Sequence, residues 1–89
     1  MENQEKRLAM IAIVVENYDS VEKLNKLMHE YGEFIIGRMG LPCRDRAVSL
    51  ISVALDAPGD AISSLSGKLG MLPGVSAKTV YAKTAQTLT

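Results

Sequence analysis

Eight apolar residues in succession, Leu8 to Val15 (LAMIAIVV), begin the patterned part of the chain. Polar residues flank the run and its far end is β-branched, which predicts a strand apolar on both faces. The period then changes. In ENYDSVEKLNKLMHEYG, Val21, Leu24, Met28 and Tyr31 recur at helical spacing, while Glu22, Lys23, Lys26 and Glu30 fall on the outer side. Asp19 followed three residues later by Glu22 predicts a capping box, and Gly32 is placed to end the helix.

EFIIGRMGLP predicts a second strand closed by Gly40 and Pro42, and CRDR a polar turn. AVSLISVALDA predicts a third strand, with Val48 and Leu50 on one face and Ile51, Val53 and Leu55 on the other. After PGD, Pro58 near a first turn and Ile62, Leu65 and Leu69 on one side predict a second helix. A weakly alternating fourth strand runs from Val75 to about Lys83, and TAQTLT, residues 84–89, reads as a frayed tail.

The order βαββαβ, with strands one and three apolar on both sides, predicts an α+β ferredoxin-like two-layer sandwich. Four antiparallel strands carry two helices on one face. Residues 1–89 form a single domain with an ordered core over 7–83. Two helices shield one face only, so alternate apolar residues of strands one and three lie bare on the other. A soluble monomer rarely leaves more than a few hundred Å² so exposed. A homodimer or homotetramer, packed sheet to sheet or edge to edge, is therefore expected.

Composition narrows the function. Ten basic and ten acidic residues cancel, so no basic field draws nucleic acid or an acidic membrane. Strand three holds no aromatic residue on which an RNA base would stack. The single Cys excludes an intramolecular disulfide and a four-thiolate cluster. Leu8 to Val15 is too short to span a bilayer, and a cytoplasmic protein without a cofactor is expected.

One stretch, SGKLGMLPGV, invites comparison with a phosphate-binding loop. Such a loop needs a glycine five positions before its Gly-Lys and a Ser or Thr after it, ahead of a helix. Here Ile62 and Leu69 occupy those places, toward a helix's carboxyl end where the dipole repels anions. Gly70 as a left-handed cap, then Pro73 and Gly74 as a turn, account for the pattern.

Candidate chemistry gathers in RMGLPCRDR. Arg38, Arg44, Asp45 and Arg46 could clamp a carboxylate or phosphate effector, Arg38 from a strand at a subunit interface. The plainer reading is a solvated hairpin turn. Cys43 between basic residues is a candidate redox-sensitive thiol or metal ligand, and His29 a candidate ligand; neither supplies a whole metal site. Asp56 and Asp60 flank the second helix's start, where carboxylates serve as caps. A small hydrolase on this fold would need a phosphate cradle after strand one, where the acidic ENYDS stands instead.

With Gly40, Pro42 and Arg44 in its turn and LSGKLGMLPGV over residues 65–75, the chain resembles the ACT-like regulators of the iron-only hydrogenase system. The likeness extends from Arg7 to about Tyr81. It implies a stand-alone, oligomerising ACT-like domain that regulates without catalysis, binding a small effector or a hydrogenase-assembly protein at a subunit interface. The ligand-binding half of nickel-responsive repressors is similar in plan, but its paired histidines fall here at Gly40 and Pro42. Amino-acid-binding ACT domains place a glycine in the loop after strand one, and ENYDS has none.

Overall fold

A computed structural model describes residues 5–83, apart from the side chain of Arg44. The expected tail over 84–89 lies outside the described residues. Strand β1 (Lys6–Val15) is followed by helix α1 (Val21–Glu30), strands β2 (Ile35–Cys43) and β3 (Val48–Pro58), helix α2 (Gly59–Gly70) and strand β4 (Val75–Tyr81). The sheet order is β2-β3-β1-β4, and every pairing is antiparallel. The expected ferredoxin-like sandwich is the observed one.

The apolar run of β1 explains the topology. As a central strand it is covered on one face by both helices: Ile11, Ile13 and Val15 are buried with Val53 and Leu55 of β3. Leu24 and Met28 of α1 and Ile62, Leu65 and Leu69 of α2 close over them. Burying each such side chain contributes about 1.5–3 kcal/mol, so this single layer of contacts carries the fold.

The elements depart from expectation where contacts distant in sequence decide. Asp19 makes no capping box. It sits in a 3-10 turn, Tyr18–Ser20, where the Asn17 side chain accepts from its backbone N–H. Ser20 is the N-cap of α1, but its side chain makes no cap bond there. Gly32 stands just past the helix end and begins a second 3-10 turn, Gly32–Phe34. Gly70 is no left-handed cap: α2 runs into a right-handed Met71 (φ −86°). The positive φ falls at Gly74 (70°). Gly40 and Pro42 do not close β2, which continues to Cys43. On an edge strand, a proline's missing N–H can face away from the neighbouring strand.

Candidate functional site

The face of the sheet opposite the helices is the chain's principal uncommitted surface. Along β1, Leu8, Met10, Ala12 and Val14 alternate away from the buried set. Register places Ala54, Ser52 and Leu50 beside Met10, Ala12 and Val14. On β2, Gly37, Met39, Leu41 and Cys43 pair with Ala54, Ser52, Leu50 and Val48 and so share that face. Nine large apolar side chains are exposed among the described residues. Six of them, Leu8, Met10, Met39, Leu41, Leu50 and Val80, lie on this face.

A seventh, Ile36, is 63% exposed, beside the register shift between Ile35 and Gly37. It joins Leu8, Met10, Ala54 and Val80 around a hollow of about 320 Å³. Polar atoms contribute little there, so water gains few hydrogen bonds in it. Such a lining offers apolar contact and few hydrogen bonds to a charged group.

The polar residues singled out in the sequence separate in space. Pro42, Cys43, Asp45 and Arg46 line one depression of about 450 Å³. Arg44 begins the 3-10 turn above it, and the left-handed Ala47 (φ 56°) turns the chain into β3. Arg38 is not among them. It pairs with Val53, a buried residue, and therefore points toward the helices. Its Nη2 lies 3.4 Å from Asn25 Oδ1. Arg38 and His29 line a separate depression with Asn25 and Met28. His29 belongs to the helix layer, whereas Cys43 lies opposite Val48 on the open face. The two cannot share one metal within a chain. Among the described residues no three His, Cys, Asp or Glu side chains form a metal cluster.

Between the helices, the Tyr31 and Ser64 hydroxyls share a hydrogen bond of 2.8 Å. The Lys68 ammonium stands 5.3 Å from the Tyr31 ring centroid. The Ser64 hydrogen bond first, and then Lys68, pull the Tyr31 pKa below its usual 10.0. Lys68 is raised from 10.5, the Tyr31 oxygen being the main cause. The lysine of the Gly-Lys pair is thus engaged by the aromatic ring of the residue that caps the C-terminus of α1.

A clasp near the end of β1 went unread in the sequence. Ser20 is 2% exposed, and its hydroxyl donates to the Pro73 carbonyl at 2.6 Å. The Glu16 amide donates to the Gly74 carbonyl at 2.7 Å, and the Ser20 amide to the Asn17 carbonyl. With the Asp19 amide held by Asn17 Oδ1, three loop donors are spent internally. That loop is where a hydrolase of this fold would cradle a phosphate or an ACT domain would hold an amino acid. Asp56, read as a cap, is instead an exposed strand residue opposite Leu8. Only the extent of β3, through Pro58, makes this visible.

Among the described residues no helix is long and apolar enough to cross a membrane. The family model that matches residues 7–79 is TM1266-like, described as "Iron-only hydrogenase system regulator, putative". The structure of the uncharacterized protein TM1266 from Thermotoga maritima superposes with a TM-score of 0.85 at 39% identity, covering 89% of this chain and 100% of that one. The C-terminal domain of the MgtC protein from Mycobacterium tuberculosis shares the fold at 14% identity, with a TM-score of 0.68 over 99% of this chain and 100% of its own. A formyltetrahydrofolate deformylase from Pseudomonas putida shares it at 10% identity, with a TM-score of 0.60, covering 82% of this chain and 28% of the deformylase chain. No curated protein matches.

Proposed function

Since the chain belongs to the TM1266-like family of iron-only hydrogenase system regulators, we propose that it is a non-catalytic regulatory domain that works as an assembly of its own copies. The observation that carries this reading is the open face, which holds six of the nine large apolar side chains exposed among the described residues, with a seventh, Ile36, beside it. Covering such a surface removes apolar area from water at about 25 cal/mol per Å². A copy of the same chain is the partner present at matching concentration.

A small anionic effector, a carboxylate or phosphate, is assigned to the depression of Cys43, Asp45 and Arg46 at the rim of that face. The guanidinium of Arg46 supplies the bidentate donor. Absence of catalysis is supported by the loop after β1, where the Glu16, Asp19 and Ser20 amides are bonded within the chain.

Sedimentation over a range of concentrations tests the assembly, with Met10→Glu as the variant that disrupts it. The wild type should associate and the variant should not; a single chain at every concentration overturns the reading. Calorimetry with a panel of carboxylates and phosphates tests the effector. Binding that is lost in Arg46→Ala supports it, and no binding across the panel removes it. A strain lacking the protein should change its hydrogenase activity or expression.

A further inference from the structure

Two charges of opposite sign interrupt the apolar face, and they are disposed symmetrically about Met10. Met10 pairs with Ala54 on β3 and with Val80 on β4. Asp56 lies one same-face step from Ala54, opposite Leu8. Lys78 lies one same-face step from Val80 in the other direction, opposite Ala12. One step along a strand is about 7 Å and one strand across about 5 Å, so each charge stands about 8 Å from Met10. Met10 is the midpoint of the diagonal between them.

Two copies laid face to face are related by a two-fold axis running between their sheets, and the axis exchanges equivalent positions. An axis over Met10 that crosses the diagonal at right angles carries Asp56 onto Lys78. That line also runs over Met39, which lies two strands from Met10 at the level of Ala12 and Ser52. The same operation brings Leu8 of one copy against Val80 of the other.

We infer that the chain self-associates in one register, in which Asp56 of each copy pairs with the partner's Lys78 while Met10 and Met39 each meet their own counterparts. The inference rests on the reading of the open face as a surface shared between copies. Each charge then has a partner, which a desolvated charge requires. Methionine, unbranched and polarizable, adapts to a self-contact around the 320 Å³ hollow. An axis shifted toward Leu50 would leave Leu8, Met10 and Val80 bare. One acid and one base on a diagonal about Met10 make the middle of the face complementary to itself, and a foreign protein would not require that arrangement. Lys6 is exposed on the same face at the start of β1, paired with Pro58, and stays at the rim.

Charge exchange tests the register. The dimer dissociation constant is measured by sedimentation for the wild type, Asp56→Lys, Lys78→Asp and the doubly exchanged chain. Circular dichroism confirms that each is folded, as expected for exposed positions. Each single reversal sets like charges together twice and should weaken the dimer about tenfold or more; the double exchange should recover most of the loss. Unchanged affinity in both single variants, or no recovery in the double, overturns the register and leaves the shared face standing. A wild type that never associates overturns the shared face itself.

Discussion

Gly74 is packed so closely on Asn17 that a methyl group added to it would stand 2.5 Å from the Asn17 Cβ and 3.0 Å from its amide nitrogen. The glycine also has φ near 70°. The left-handed conformation costs a residue with a side chain about 1–2 kcal/mol, and overpacking about 1–3 kcal/mol more. Gly74→Ala should lower the urea unfolding free energy by about 2–5 kcal/mol. At Gly67 an added methyl meets nothing within 4 Å, so Gly67→Ala should be neutral or stabilising. Equal losses in the two variants would refute the clasp.

Ser20 makes a second prediction on the same clasp. Its hydroxyl is buried and donates to the Pro73 carbonyl at 2.6 Å. Ser20→Ala leaves that carbonyl without this donor, at a cost of about 1–3 kcal/mol. Ser63 bonds the Gly59 carbonyl one turn back on an exposed helix surface, where water can replace it. Ser63→Ala should therefore change the unfolding free energy little. Chemical denaturation of the two variants side by side separates the contributions.

Tyr31 and Lys68 give a pH dependence whose sign is fixed. The Tyr31 pKa is lowered from 10.0 by Ser64 and then Lys68. Its contribution to stability is therefore present above pH 10.0 and is lost as pH falls through the folded value. Lys68 is raised from 10.5, chiefly by Tyr31. Its contribution is present below 10.5 and is lost as pH rises through the folded value. Both are fully present between pH 10.0 and 10.5. Titrating phenolate absorbance should show one early tyrosine, which moves to higher pH in Lys68→Ala and disappears in Tyr31→Phe. An unchanged curve in Lys68→Ala would dissolve the pair.

How far the fold was legible depended on how far each decision reached along the chain. LAMIAIVV marked β1 as central, but only the pairing with β3 and β4 shows that Ile11 and Ile13 face the helices while Leu8 and Met10 do not. Gly70 reads locally as a left-handed cap and Gly74 as part of a turn, yet of the two only Gly74 takes a positive φ. The close contact of Gly74 is with Asn17, far away in sequence. Pro42 looked like a strand end, and whether it breaks a strand depends on β2 being an edge. Strand alternation separates Arg38 from the turn of Arg44, Asp45 and Arg46. Arg38 and Cys43 differ by an odd number of positions, which puts them on opposite faces of one strand. Asp56 reads locally as a cap of the following helix because nothing local shows that β3 reaches Pro58.

Methionine oxidation offers a probe of the shared face that needs no mutation. Met10 is 47% exposed, Met39 59% and Met71 83% in the single chain. The first two lie along the inferred axis, and Met71 follows α2 on the other layer. Peroxide converts an accessible thioether to its sulfoxide, and peptide mass spectrometry reads each site separately. Raising the protein concentration through the association range should slow oxidation at Met10 and Met39 together. Met71 should react at one rate throughout and so serves as the internal reference. The Cys43 thiol, at a corner of the face that this arrangement leaves open, should keep its reactivity over the same range. If Met10 and Met39 keep pace with Met71 once the assembly has formed, the copies meet through some other surface.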